Sequence, residues 1–73
     1  MVDLNQIDHA ILQKLAEGRA TQGFLIEETS HTRSQIQRRL EALYMGEYIE
    51  KVHEGTALYE ITDKGRDEII RNV

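Results

Sequence analysis

Apolar residues at Leu4, Ile7, Ile11 and Leu15 recur at the three- and four-residue spacing of a helix face, and Gly18 stands where such a helix would end. Asp3 with Gln6 has the pattern of a capping box and marks the start of this first helix. Thr21 and Gln22 then lead through Gly23 into Phe24, Leu25 and Ile26, followed by Glu27, Glu28 and Thr29, which predicts a second helix of roughly two turns. Ser30 and His31 form the turn. Thr32 with Gln35 makes another capping box, and Ile36, Leu40 and Leu43 give one apolar face to a third helix over 32–45. At about 100° per residue, Ser34, Gln37, Arg38 and Glu41 fall on its outer side, with Arg33 and Arg39 on the flanks.

Gly46 stops that helix. Residues 48–53 and 57–61 are rich in β-branched and aromatic side chains and are separated by Glu54, Gly55 and Thr56, which predicts a hairpin over 48–61. Thr62 and Asp63 precede a last helix from about Lys64 to Arg71, with Ile69 and Ile70 as its apolar anchors. The pattern as a whole describes an α+β unit over residues 1–73: three helices, a two-stranded hairpin and a short C-terminal helix.

Composition narrows what such a unit can do. At 73 residues and 40% hydrophobic content there is material for one core, and a domain this small leaves little room for a deep enzyme cleft. No cysteine is present, so there is no disulfide frame, thiol nucleophile or thiolate zinc site. His9, His31 and His53 are too far apart in sequence for a short metal-ligand motif, and no metal or cofactor is expected. The first residues lack the basic start and apolar run of a signal peptide, and no stretch is long enough to span a membrane, which makes the cytoplasm the expected location. No nucleophile with a paired base and no glycine-rich phosphate loop can be assembled, so an enzyme is not expected.

The net charge of -4 opposes binding to nucleic acid, where phosphate attraction dominates affinity. Its distribution reverses that inference locally. Residues 30–40 contain Arg33, Arg38, Arg39 and His31 and no acid, while the carboxylates gather at Glu27, Glu28 and from Glu41 onward. A short helix, a tight turn and a capped helix with arginines at its exposed start is the arrangement that lays one helix in the major groove. Arginine pairs with guanine, glutamine with adenine, and backbone N–H groups at a helix start favour phosphate.

The run LIEETSHTRSQIQRRLEALYMGEYIEKV, followed after a glycine by LYEITDKG, resembles winged helix-turn-helix transcription regulators over most of the chain. Within that class, EGRAT, the Gly-Phe-Leu start of the second helix, EET and LYE after the wing resemble small phage-repressor-like proteins of halophilic archaea and their viruses. The resemblance implies that Thr32, Arg33, Ser34, Gln35, Gln37 and Arg38 belong to the DNA-recognition helix and that Lys51, His53 and Thr56 belong to the wing. Two positions depart from the pattern: Ser30 stands where the turn usually has glycine, and Ile26 where a small residue is usual. Glu54 at the wing tip sets a carboxylate against phosphate and reduces the wing's expected share.

Other side chains have plainer explanations. Arg39 lies nearer the apolar face, where it would snorkel or pair with a carboxylate, and Tyr44, Tyr48 and Tyr59 suit core or edge packing better than base stacking. The resulting expectation is a sequence-specific regulator of double-stranded DNA, acting as a repressor and a homodimer, with no small-molecule effector in evidence. The alternative is a winged-helix protein-interaction module without DNA binding, supported by the negative net charge.

Overall fold

A computed structural model describes residues 4–53, 55 and 57–71. The chain runs α1 (Gln6–Glu17), β1 (Ala20–Thr21), α2 (Gln22–Thr29), α3 (Arg33–Met45), β2 (Ile49–Lys51), β3 (Leu58–Ile61) and α4 (Asp63–Arg71). The helix starts are set by short polar side chains that satisfy N–H groups left open in the first turn. Thr32 caps α3 as its sequence predicts: Thr32 Oγ1 accepts from the Gln35 N–H at 3.2 Å and Gln35 Oε1 accepts from the Thr32 N–H at 3.0 Å. Thr21 caps α2 through a 3.1 Å bond from the Phe24 N–H.

The box on α1 is shifted from its expected place. Asn5 and Asp8 form it, with reciprocal 2.9 Å bonds, and Gln6 is the first helical residue. Asp3 lies outside the described residues. An Asn or Asp at the N-cap and an acid three residues on satisfy the same two donors, and this pair keeps Leu4, Ile7 and Ile11 directed inward.

The sheet has three strands, not the expected two. Its order is β1-β3-β2, all antiparallel, because Ala20 and Thr21 pair with Tyr59 and Leu58. The Gln22 N–H extends that pairing with a 3.1 Å bond to the Ala57 carbonyl. Two residues carry no periodic signal, so this strand is specified by its partner. The hairpin of β2 and β3 is present, in the register Ile49↔Ile61 and Lys51↔Tyr59.

One core lies between α1, α2, α3 and the sheet. Ile11, Leu12, Leu15, Leu25, Ile36, Leu40, Leu43 and Ile49 are all buried, and Tyr48, Tyr59 and Ile61 close it from the strand side. Of the two expected anchors on α4, Ile69 packs against this core and Ile70 is 70% exposed. Adjacent helical residues point about 100° apart, so only one of the pair can face inward.

Two chain reversals depend on left-handed backbone. Ser30, ending α2, has φ 61° and ψ 26°, so it occupies the glycine-type turn of the resemblance with a side chain in place. At the end of α3 the left-handed residue is Glu47, at φ 66°, and Gly46 is right-handed at φ -82°. The Tyr48 N–H reaches back to Leu43 O and the Glu47 N–H to Tyr44 O, the two bonds of a Schellman turn. Gly46 therefore acts by its size: a Cβ there would lie 2.9 Å from the Tyr48 ring.

Gly65 is the second close approach. A Cβ at this position would meet the Tyr48 carbonyl oxygen and come within 2.7 Å of Ile61 Cγ1, so glycine is what lets α4 lie on β3. Thr62 Oγ1 donates to Glu47 O at 2.7 Å and accepts from the Gly65 N–H at 3.2 Å, joining the ends of α3 and α4.

Replacing Gly65 with Ala is expected to cost about 1–3 kcal/mol through this overpacking, measured as a fall in the urea midpoint at unchanged slope. Ser30→Gly should act oppositely, relieving left-handed strain by about 0.5–1 kcal/mol and raising the thermal midpoint by a few degrees. A lower midpoint for Ser30→Gly would show that the serine side chain stabilises the turn.

Candidate nucleic-acid interface

The exposed strip of α3 is held outward by a bond on its inner flank. Asp8 is fully buried, and its carboxylate takes two charge-assisted bonds from Arg39: Nε to Oδ1 at 2.6 Å and Nη2 to Oδ2 at 2.7 Å. Oδ2 also accepts from the Asn5 N–H at 2.9 Å. One carboxylate thus caps α1 and braces α3, and the Arg39 side chain is 22% exposed. The bond to Asp8, more than burial, sets the guanidinium's proton affinity and raises it above the ordinary arginine range. A raised folded-state value means that this contribution to stability is complete below the ordinary arginine range and would be lost only above it.

The sequence signal for this pair was available. Asp8 falls within the Leu4, Ile11, Leu15 face, where a carboxylate requires a cation, and Arg39 flanks the apolar face of the facing helix. The expectation that Arg39 snorkels or pairs was right in its second form.

Outside this bond lie Arg33, Ser34, Gln35, Gln37, Arg38 and Glu41, all exposed. Among the described residues no carboxylate pairs with Arg33 or Arg38. Four other cations do have such partners: Lys14 with Glu17 and Glu28, Arg19 with Glu60, Arg39 with Asp8 and Arg71 with Glu68. The side-chain oxygens of Thr32 and Gln35 are engaged in capping, which leaves the threonine hydroxyl hydrogen and the glutamine amide hydrogens for other contacts.

Two shallow hollows run along this strip. One is lined by Ser34, Gln37, Arg38 and Glu41, and the other continues past Gln37 and Glu41 to Gln22, Tyr44, Met45 and Lys51. The first turn and middle of α3 therefore join the hairpin in one surface. Lys51 is exposed on β2 with its ammonium 5.5 Å from the centre of the Tyr44 ring, a contact worth about 0.5–1 kcal/mol at an exposed site. His53 is exposed beyond the end of β2, while Thr56 and Glu54 lie outside the described residues. Gln22, Tyr44 and Met45 were missed as members of this surface. Met45 is 77% exposed and Tyr44 45%, and their signal was position: each is an apolar or aromatic residue off the Ile36, Leu40, Leu43 face.

A helix-turn-helix with its second helix exposed, followed by a hairpin beside that helix, is the winged-helix architecture. Solved structures of this fold superpose closely. A variant of ZitR from Lactococcus lactis matches at TM-score 0.87 and 22% identity, over 99% of this chain and 52% of that one. The adhesin competence repressor AdcR from Streptococcus pyogenes matches at TM-score 0.86 and 14% identity, over 94% and 55%. PadR from Bacillus subtilis, in complex with operator DNA, matches at TM-score 0.78 and 22% identity, over 92% and 46%. The chain spans about half the length of these proteins. No protein-family model and no curated protein sequence matches it. Among the described residues no helix is long and apolar enough to cross a membrane.

Breaking the buried pair from one side should be severe. Asp8→Ala leaves a partly buried guanidinium uncompensated and removes half the α1 cap, an expected loss of about 3–5 kcal/mol. Asp8→Leu combined with Arg39→Met should recover much of that loss in a double-mutant cycle by chemical denaturation; additive losses would show that the pair is not the source.

Proposed function

We propose that this chain is the DNA-binding domain of a sequence-specific transcription regulator, with α3 in the major groove and the β2–β3 hairpin as its wing. The observation that carries this is the pairing pattern of the cations. Among the described residues carboxylates take up Lys14, Arg19, Arg39 and Arg71 and leave Arg33, Arg38, Lys51, Lys64 and Arg66 without an ion pair. Three of these five, Arg33 and Arg38 on the exposed face of α3 and Lys51 on the hairpin, border one surface. Arg38 and Gln37 read base edges, and Arg33, Ser34, Lys51, His53 and Thr56 hold phosphate, with Thr32 and Gln35 contributing through their remaining donors. PadR's complex with operator DNA supports this use of the fold.

A repressor working as a homodimer in the cytoplasm, without catalysis or cofactor, follows from the same reading. A two-fold axis would match half-sites spaced by about 34 Å or a multiple. The narrower kinship with repressor-like proteins of halophilic archaea and their viruses is part of the proposal and fits the acidic balance of -4. That charge also favours the second reading, a protein-interaction module, with Tyr44 and Met45 as its exposed anchors.

Salt titration of duplex binding by fluorescence anisotropy separates the two. Binding should weaken as salt rises, with the modest slope that a few phosphate contacts give, and Arg38→Ala should lower affinity by about 1–3 kcal/mol without moving the thermal midpoint. Absence of binding at low salt would leave the interaction module standing.

A further inference from the structure

The DNA-facing surface contains a carboxylate that electrostatics alone would exclude. Glu41 is exposed at the middle of α3 and lines both hollows of the strip, with Gln37 one turn before it. Arg38 is three residues away on the same helix and Lys51 faces the second hollow, yet among the described residues neither forms an ion pair with Glu41. Lys51 is directed to the Tyr44 ring. Glu41 is therefore an unneutralised anion with only acceptor oxygens, placed where a polyanion is to lie.

The geometry points to Glu41 as a specificity-determining residue that selects a cytosine, and this rests on the DNA-binding reading above. Phosphates and sugar oxygens repel or ignore a carboxylate, and the major groove offers only two base-edge donors, the N4 amine of cytosine and the N6 amine of adenine. Adenine N6 lies between two acceptors, its own N7 and O4 of the paired thymine. Cytosine N4 has an acceptor on one side only, O6 of the paired guanine, and a C–H on the other. A carboxylate is thus better received by cytosine, whereas a glutamine amide, with a donor for N7, is better received by adenine. Gln37 and Glu41 are separated by about 6 Å of helix rise, close to two base-pair steps of about 3.4 Å. The pair reads an adenine and a cytosine about two positions apart.

The test is selection from a random duplex pool with the 73-residue chain and with Glu41→Gln and Glu41→Ala. Wild type should enrich a motif with a cytosine that Glu41→Gln exchanges for adenine and Glu41→Ala leaves undetermined. Discrimination at that one position should fall roughly 5- to 150-fold in Glu41→Ala. Affinity for random duplex should move the other way, rising up to about fivefold as the repulsion is removed. Unchanged thermal midpoints would verify that all three proteins are folded. One motif shared by all three proteins would overturn the assignment while leaving DNA binding intact, and no enrichment by wild type would overturn both.

Discussion

The orientation of the exposed face of α3 depends on the buried contact between Asp8 and Arg39. Removing both charges from water is costly, and the return comes from two short bonds between the side chains and a third from the Asn5 N–H. A two-pronged bond admits a narrow range of rotations of α3 about its own axis. Arg38 is then about 100° away, and Gln37 and Glu41 are each about 160° from Arg39, so fixing one side chain inward aims the others at solvent. Consecutive arginines here face opposite surroundings, Arg39 a buried carboxylate and Arg38 solvent.

Tyr48 does comparable work at the other end of the domain. Its ring occupies the space left by Gly46 and lies 4.5 Å from the Lys64 ammonium, and its carbonyl accepts from the Thr62 N–H while abutting Gly65. Lys64 also donates to Gly46 O at 2.8 Å. The end of α3, the start of the hairpin and the start of α4 are thus one joint. Because β2 leaves from that joint, the angle between α3 and the wing follows from two glycines and a tyrosine.

Much of this was legible along the chain. The Thr32–Gln35 box, the Ile36, Leu40, Leu43 face, the turn at Ser30 and the hairpin rest on local patterns, and the structure has them where those patterns put them. What escaped was set by distance in sequence. β1 is two residues whose pairing partners lie almost forty positions on. Asp8 and Arg39 are separated by 31 positions: the place of each on or beside an apolar face called for an opposite charge, but only the docking of α1 on α3 shows that they serve each other. Gly46 was read as a conformational stop, whereas the left-handed residue is Glu47 and the glycine makes room for Tyr48. In the candidate site the arginines were visible as a cluster free of acids, but their availability was not, since that depends on which carboxylates the fold brings to the other cations.

That availability has a consequence for how the proposed regulator would achieve affinity. The chain has nine Lys and Arg against thirteen Asp and Glu, and folding neutralises several of the nine on faces away from α3. With Arg38 turned to base edges, a surface on which Arg33 and Lys51 hold phosphate neutralises about two phosphates, so its salt slope would be about -2 and its grip on arbitrary duplex slight. Such a domain discriminates well because its non-specific term is small, and Glu41 reduces that term further. Useful affinity must then come from base edges and from doubling the contact. Two copies on one duplex would sum their phosphate contacts, and the second would bind at the effective concentration set by the first, which is the physical argument for the proposed homodimer of so small and acidic a domain.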